Sequence, residues 1–257
     1  MSTTRIAVVT GASRGIGEAI ALRLADDGLD VAVNDIPSMA ESLKAVAEKI
    51  RQKGRRSLVV TGDVSNENDV KAMVDKVVET LGGLDVMVAN AGVALLKPVV
   101  ETSVEEYDRV MSINAKGVFL CFKYAAVQMI KQGRGGRIIG ACSLAGKKGM
   151  SNLAVYGASK FAVRGLTQTC ALEWAQHNIT VNSYAPGLIY TPMMTESNEV
   201  ASGREKDSTT ADAIGLGKDT PGAEPSVIGE LVSYLVKPES QFVSGQCINI
   251  NGGIFFD

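Results

Sequence analysis

Short apolar runs alternate with amphipathic stretches from one end of this chain to the other. Ile6 to Thr10 (IAVVT), Asp30 to Asp35 (DVAVND), Ser57 to Gly62 (SLVVTG), Leu84 to Ala89 (LDVMVA), Gly136 to Ala141 and Ile179 to Tyr184 read as six strands, and Gln246 to Ile250 (QCINI) as a last one. Strands so continuously apolar are buried on both faces, as in a parallel sheet covered by helices on each side. The stretches between them carry helical period: EAIALRLADDG after Gly17, Ser38 to Lys53, Asn66 to Leu81, Asn152 to Gln176 and Ser226 to Val236. Ser103-Val104-Glu105-Glu106 has the spacing of a capping box and opens a long helix to about Lys131. A doubly wound α/β fold follows, with no repeat and no interdomain linker, so residues 1–257 are expected to form one domain. The period fails only between Thr191 and Pro225, where glycine, proline, serine and threonine crowd together. A segment of that length without period is expected to be a lid.

Chemistry is suggested first by the turn after the opening strand. Thr10 leads into GASRGIG, Gly11 to Gly17, and a helix follows at once. Glycines let the backbone come close to a pyrophosphate, whose charge suits the free N–H groups and the dipole of the helix N-terminus. The second strand ends in Asp35, 18 residues after Gly17, where a carboxylate can accept hydrogen bonds from an adenosine ribose diol and would repel a 2′-phosphate. That favours NAD. Arg14, inside the turn, argues for NADP instead, because a guanidinium can pair with that phosphate. Asp63, at the end of the third strand, is placed to meet an adenine amino group or, equally, to neighbour a helix cap.

A second constellation lies in SLAGKKGMSNLAVYGASK, Ser143 to Lys160. If Asn152 or Leu153 opens a helix, Tyr156 and Lys160, four apart, leave the same face about one turn apart. A free phenol titrates near pH ~10, so a cation beside it is needed to make it a base near neutrality. Lys160 is that cation, and Ser143 would hydrogen-bond an oxygen on which charge develops as a carbonyl becomes an alkoxide. The pair alone has a plainer reading, a packed phenol and a snorkelling amine. Asn114, within the apolar part of the long helix, is either a structural amide bonded to nearby backbone or part of the same site.

Composition narrows the classes. With 46% hydrophobic residues the chain can bury a sizeable core, and a net charge of −2 gives no basic footprint for nucleic acid and no polybasic patch for a membrane. Cys121, Cys142, Cys170 and Cys247 have no metal or redox spacing, and the N-terminus shows no signal-peptide pattern, so reduced thiols and a cytoplasmic protein are expected. One histidine, His177, in a polar segment makes a serine hydrolase triad or a histidine metal site a poor fit, and no metal is expected.

Taken in order, Thr10-Gly11-x-x-x-Gly15-x-Gly17, Asn90-Ala91-Gly92, Asn114, Ser143, Tyr156-x-x-x-Lys160 and Pro186-Gly187 resemble the short-chain dehydrogenase/reductase family over nearly the whole chain. More narrowly, YGASKFAVRGLTQ and NITVNSYAPGLIYTPM are similar to the acetoin/diacetyl reductases, or 2,3-butanediol dehydrogenases. The resemblance implies a Rossmann sheet ordered 3-2-1-4-5-6-7, a nicotinamide cofactor and a homotetramer. It also implies a tetrad of Asn114, Ser143, Tyr156 and Lys160, in which Asn114 helps hold a proton-relay water. The cofactor would be held by Gly11, Ser13, Arg14, Gly15, Ile16, Gly17, Asp35, Asp63, Val64, Asn90, Gly92, Pro186 and Gly187. Tyr156 and Lys160 would join them, with Lys160 on the nicotinamide ribose and Ile189 and Thr191 at the carboxamide. The presumed pocket residues Val93, Leu144, Ala145, Leu188, Met193 and Met194 carry no charge, which points to a neutral ketone or secondary alcohol. The alternatives are a silent NAD-binding regulator and an epimerase or dehydratase of related fold.

Overall fold

A computed structural model describes residues 4–194, 214–217 and 220–257. Seven parallel strands form the main sheet: β1 (Ile6–Thr10), β2 (Asp30–Asp35), β3 (Ser57–Thr61), β4 (Val86–Ala89), β5 (Gly136–Ala141), β6 (Ile179–Pro186) and, last in the chain, β9 (Cys247–Ile250). Their order across the sheet is β3-β2-β1-β4-β5-β6-β9, the order that the family resemblance implies, with β9 in the seventh place. Two short strands had no sequence signal, β7 (Leu188–Ile189) and β8 (Gly222–Ala223), which pair with each other in parallel just past the end of β6. Two residues are too few to show a period.

The alternation along β1 explains the layering. Ile6 and Val8 face one side of the sheet, in a core with Val70, Met73 and Val74 of α3 (Glu67–Leu81), Leu120, Phe122 and Met129 of α5 (Gly117–Gln132) and Val163 of α6 (Ala154–Trp174). Ala7 and Val9 face the other, with Ile20 and Leu24 of α1 (Gly15–Asp26), Leu43, Val46 and Ile50 of α2 (Ala40–Gln52), and Ile228, Val232 and Leu235 of α7 (Ser226–Val236). Successive strand residues point to opposite faces, so a run apolar at every position needs helices on both. Right-handed crossovers then bring the carboxyl ends of the strands, with the loops that follow them, to one edge.

Two helices differ from the sequence expectation. The long helix begins as expected, with Ser103 Oγ accepting from Glu106 N and Glu106 accepting from Ser103 N, but α4 (Val104–Met111) gives way to a π-helical turn over Ser112–Lys116 before α5. One wide turn is too short to stand out from the helical period on either side of it, which is why the sequence pattern does not reveal it. By length and composition Val104–Gln132 could cross a bilayer, yet half of its most apolar stretch is buried inside the protein, as in a core helix. The helix carrying Tyr156 starts at Ala154, because Asn152 sits at φ 60°, in the left-handed region, and cannot be a helical residue. The expected lid over 191–225 lies mostly outside the described residues.

Candidate active site

At the carboxyl edge of the sheet a cavity of about 600 Å³ runs from the glycine turn to the Ser143 loop. Its wall includes Gly11, Ser13, Arg14, Gly15, Ile16, Gly17, Asp35, Asp63, Val64, Asn90, Gly92, Pro186, Gly187, Ile189 and Thr191 from the expected cofactor set, together with Ser143, Tyr156 and Lys160. Asn114 is not on the wall; it is fully buried behind it.

The glycine turn is tightly built. Gly11 takes φ 61°, and a Cβ on Gly17 would overlap the Gly11 carbonyl oxygen and lie 2.6 Å from Asn90 Nδ2, so no larger residue fits without moving the turn. Asn90 locks the turn from the next strand end, donating to the carbonyls of Thr10 (2.9 Å) and Gly11 (3.1 Å) and accepting from the Tyr184 hydroxyl at 2.8 Å. Tyr184 is buried in β6, where loss of solvent pushes its phenol far above its ordinary range. Nothing in the sequence linked it to Asn90, since they are 94 residues apart. Asp35 accepts from Ser13 Oγ (2.6 Å) and from Ile36 N (2.9 Å), which fixes its carboxylate beside the turn. Asp63 Oδ1 caps its own turn through Ser65 N at 2.8 Å, while Asn66 caps α3. An open backbone turn at a helix start, flanked by a fixed carboxylate, suits a dinucleotide.

At the other end, Ser143 follows β5 with an extended backbone and caps the next turn, its Oγ accepting from Ala145 N at 3.1 Å. Tyr156 and Lys160 leave α6 together, with the ammonium 5.4 Å from the centre of the phenol ring. Lys160 Nζ donates to the Ala141 carbonyl at 2.8 Å. Burial decides both titrations. It pushes the Tyr156 phenol up to about 12, against a hydrogen bond from the Ser143 side chain that lowers it. It pushes Lys160 down to about 8. Burial of these two side chains thus works against the lowering of the phenol expected of Lys160. Asn114 Oδ1 accepts from Val93 N (2.9 Å), and its Nδ2 donates to the Val93 carbonyl (2.8 Å) and to Ser159 Oγ (3.2 Å). Its side chain is thus spent on backbone and on α6, as the plainer reading had it, and the π-helical turn is what delivers it there.

The rest of the wall is mostly apolar: Val93, Leu144, Leu188, Met193 and Met194, as expected, with Leu96, Met150, Leu153, Ile214 and Leu216 in addition. Two expectations fail. Ala145 is buried and does not reach the cavity, because the turn Leu144–Gly146 rolls it inward. Arg109, on α4, does reach it and is a charged wall residue that the apolar set left out. Half-buried His177 is not part of the wall, and among the described residues no group of three His, Cys, Asp or Glu could hold a metal.

Residues 5–202 match the short chain dehydrogenase family. The chain belongs to the short-chain dehydrogenase/reductase family. It is an oxidoreductase acting on CH–OH groups or the corresponding carbonyls, with a nicotinamide cofactor, as members of this family are. It is 47% identical over 263 residues to a short-chain dehydrogenase/reductase of Armillaria gallica, covering 100% of this chain and 98% of that one. It is also 39% identical to a 3-oxoacyl-[acyl-carrier-protein] reductase of Staphylococcus aureus (99% and 100% covered) and 36% identical to an L-2,3-butanediol dehydrogenase of Corynebacterium glutamicum (99% and 100%). Among solved structures, levodione reductase superposes with a TM-score of 0.90 at 30% identity (98% of both chains), and an acetoin dehydrogenase of Salmonella typhimurium with 0.83 at 30% (97% and 95%). Both likenesses extend over the strand ends that build this short-chain dehydrogenase's cavity.

Proposed function

We propose that this short-chain dehydrogenase/reductase interconverts a small neutral ketone and its secondary alcohol, of the acetoin or diacetyl kind, using NAD in preference to NADP. The observation that carries the reading is the single cavity in which the glycine turn and Asp35 meet Ser143, Tyr156 and Lys160. In this reading the glycine turn faces the pyrophosphate and Asp35 the adenosine ribose, with Asp63 and Val64 at the adenine. Lys160 meets the nicotinamide ribose, and Ile189 and Thr191 the carboxamide. The nicotinamide, when bound, gives or takes the hydride and in its oxidised form adds a positive charge to the site.

The chain's own residues do the rest. Ser143 donates a hydrogen bond to the substrate oxygen and holds it beside the phenol. Tyr156, neutral in the free protein because its phenol is pushed up to about 12, is in the correct state to hand a proton to an oxygen gaining negative charge. For the reverse direction the phenol must come down, and the Lys160 ammonium, kept in place by the Ala141 carbonyl, is the protein's contribution to that. Asn114, tied to Val93 and Ser159, would keep the backbone near Lys160 in register for a relay water. The apolar wall excludes water and favours an uncharged substrate.

The same reading makes residues 1–257 one dinucleotide-binding and catalytic unit with a lid over 191–225; its support is that Met193, Met194, Ile214 and Leu216, at the described edges of that segment, all reach the cavity. It makes the protein cytoplasmic and a homotetramer. Exposed apolar side chains on the outer faces of α5 and α6, Phe119, Val127, Phe161 and Leu172, and on the opposite side Tyr234 and Phe242, are surface that self-association would cover. Sedimentation at micromolar concentration would show a tetramer; a monomer would contradict that part. The function itself is tested by following NADH absorbance with a panel of ketones and diketones. Oxidation of NADH by at least one neutral carbonyl is expected, and no oxidation with any of them would refute the reading.

A further inference from the structure

The last residues of the chain fold back onto the loop that carries Ser143. Lys147 directly follows the turn Leu144–Gly146, its side chain is only 3% exposed, and its ammonium lies 2.8 Å from both carboxylate oxygens of Asp257. Among the described residues it pairs with no other carboxylate. The same Asp257 carboxylate takes Arg164, on α6 one turn beyond Lys160, at 3.4 Å, and accepts from Asn249 Nδ2, on β9, at 2.8 Å. One side chain therefore ties together the Ser143 loop, the helix of Tyr156 and Lys160, and the edge strand of the sheet.

Apolar contacts run alongside. Ile254 and Phe255 back the buried pair Leu144 and Leu216, within a cluster that also holds Met150, Leu188 and Ile214, and Lys148 Nζ stands 5.5 Å over the Phe255 ring. Leu144 and Leu216 are themselves cavity wall, so the segment Ile254–Asp257 supports the surface against which a substrate would lie. A lysine ammonium so deeply buried needs its counter-ion to stay. The Ser143 loop itself is a single short turn, followed by Asn152 in the left-handed region before α6 begins.

We propose that Asp257 is a positioning residue, whose carboxylate clasps Lys147 to Arg164 and thereby sets the spacing of Ser143 and Tyr156 and the apolar wall beside them. The proposal rests on the reading of the cavity as a carbonyl reductase site, and its test separates the two. Hydrogen exchange by mass spectrometry, on the full chain with NADH bound, reads the loop amides directly. Those of Ala145, Gly146 and Lys147 are hydrogen-bonded within the turn. In Asp257→Asn, exchange over residues 143–150 is expected to quicken at least tenfold while the peptide over Gly11–Glu18 is unchanged. With 2,3-butanedione, or the best carbonyl of the panel, kcat is expected to fall at least tenfold with the Kd for NADH within twofold of wild type. Should that variant fail to fold because Lys147 keeps an uncompensated charge, Lys147→Met/Asp257→Asn removes the buried ammonium together with its counter-ion and is expected to fold and to show the same two changes. Unchanged exchange over 143–150, or unchanged kcat in a folded variant, overturns the proposal. So does a fall in NADH affinity parallel to kcat, which marks general damage. If the wild type reduces no carbonyl, the functional reading fails while the exchange result still decides the clasp.

Discussion

At the cofactor end of the cavity the wall is largely backbone, held by side chains that look inward: Asn90 on the carbonyls of Thr10 and Gly11, Tyr184 on Asn90, Ser13 on Asp35. At the catalytic end the wall is side chain, and the groups that matter are half-buried Tyr156 and buried Lys160, pushed in pKa to about 12 and about 8. The first end is shaped for fit and gains from rigidity. The second carries a lysine whose charged state burial opposes, a cost in stability kept for chemistry, beside a phenol that burial holds neutral. The two should therefore respond differently to substitution, and four experiments probe that difference.

The largest effect belongs to Tyr156→Phe. Turnover should fall about 10³-fold or more, the range for losing a positioned general acid, while NADH affinity stays within twofold, since the phenol is a small part of the cofactor's contact. A variant with a substantial share of wild-type activity would remove Tyr156 from the mechanism.

Next is Lys160→Met, which should stop or nearly stop turnover and yet stabilise the fold. The depression of Lys160 from its ordinary 10.5 to about 8 means that the unfolded chain binds a proton more readily than the native one. Burial of the ammonium then costs the native state most below pH 8, and the cost fades as the pH rises from 8 to 10.5. Urea unfolding should show the variant about 1–3 kcal/mol more stable than wild type at pH 7, less than the full shift implies because the bond to Ala141 is lost, with the gain shrinking by pH 9.5. A variant less stable than wild type at pH 7 would mean that the lysine is not strained, and the contrast between the two ends would disappear.

Gly17→Ala tests the opposite end. The added Cβ meets backbone and Asn90 rather than the tip of a flexible side chain, so the turn must move, at a cost of about 1–3 kcal/mol in stability. Calorimetric titration should show NADH binding at least tenfold weaker. Turnover at saturating cofactor should change much less. Unaltered binding would show that the turn is not the cofactor's seat.

The smallest effect is a change of preference. Asp35→Ser removes a carboxylate beside which a 2′-phosphate would set about two more negative charges, and leaves Arg14 to meet them. The ratio of kcat/KM for NADPH over NADH should rise at least tenfold, about 1.4 kcal/mol, mainly through KM. A wild type that already prefers NADPH would show Arg14 to govern the site.

The same contrast explains what could be read from the residues in order. The strand runs, the glycine turn and Asp35 are local: each is a contiguous segment whose period or spacing states its own geometry, and the sheet order followed once the family resemblance was clear. Tyr156 and Lys160, four apart on one helix, were legible for the same reason. What escaped was set by contacts between distant segments. Tyr184 of β6 reaches Asn90 past the intervening β5, the π-helical turn at Asn114 is a single turn too short to show in the helical period around it, and Arg109 enters the cavity from a helix read only for its cap. Burial, too, is a property of the whole fold, so the phenol's rise in pKa could not be read from Tyr-x-x-x-Lys spacing.

The central claim is that hydride passes between the nicotinamide and a substrate carbon held beside Tyr156. It is tested most directly with NADH carrying deuterium at C4 on the transferring face, turned over with the best ketone of the panel and the product examined by mass spectrometry and NMR. The account expects one deuterium on the carbinol carbon for each NADH consumed, with wild type and not with Tyr156→Phe. An altered product with no net consumption of NADH, or an alcohol without deuterium at that carbon, would contradict it and favour an epimerase or dehydratase chemistry instead.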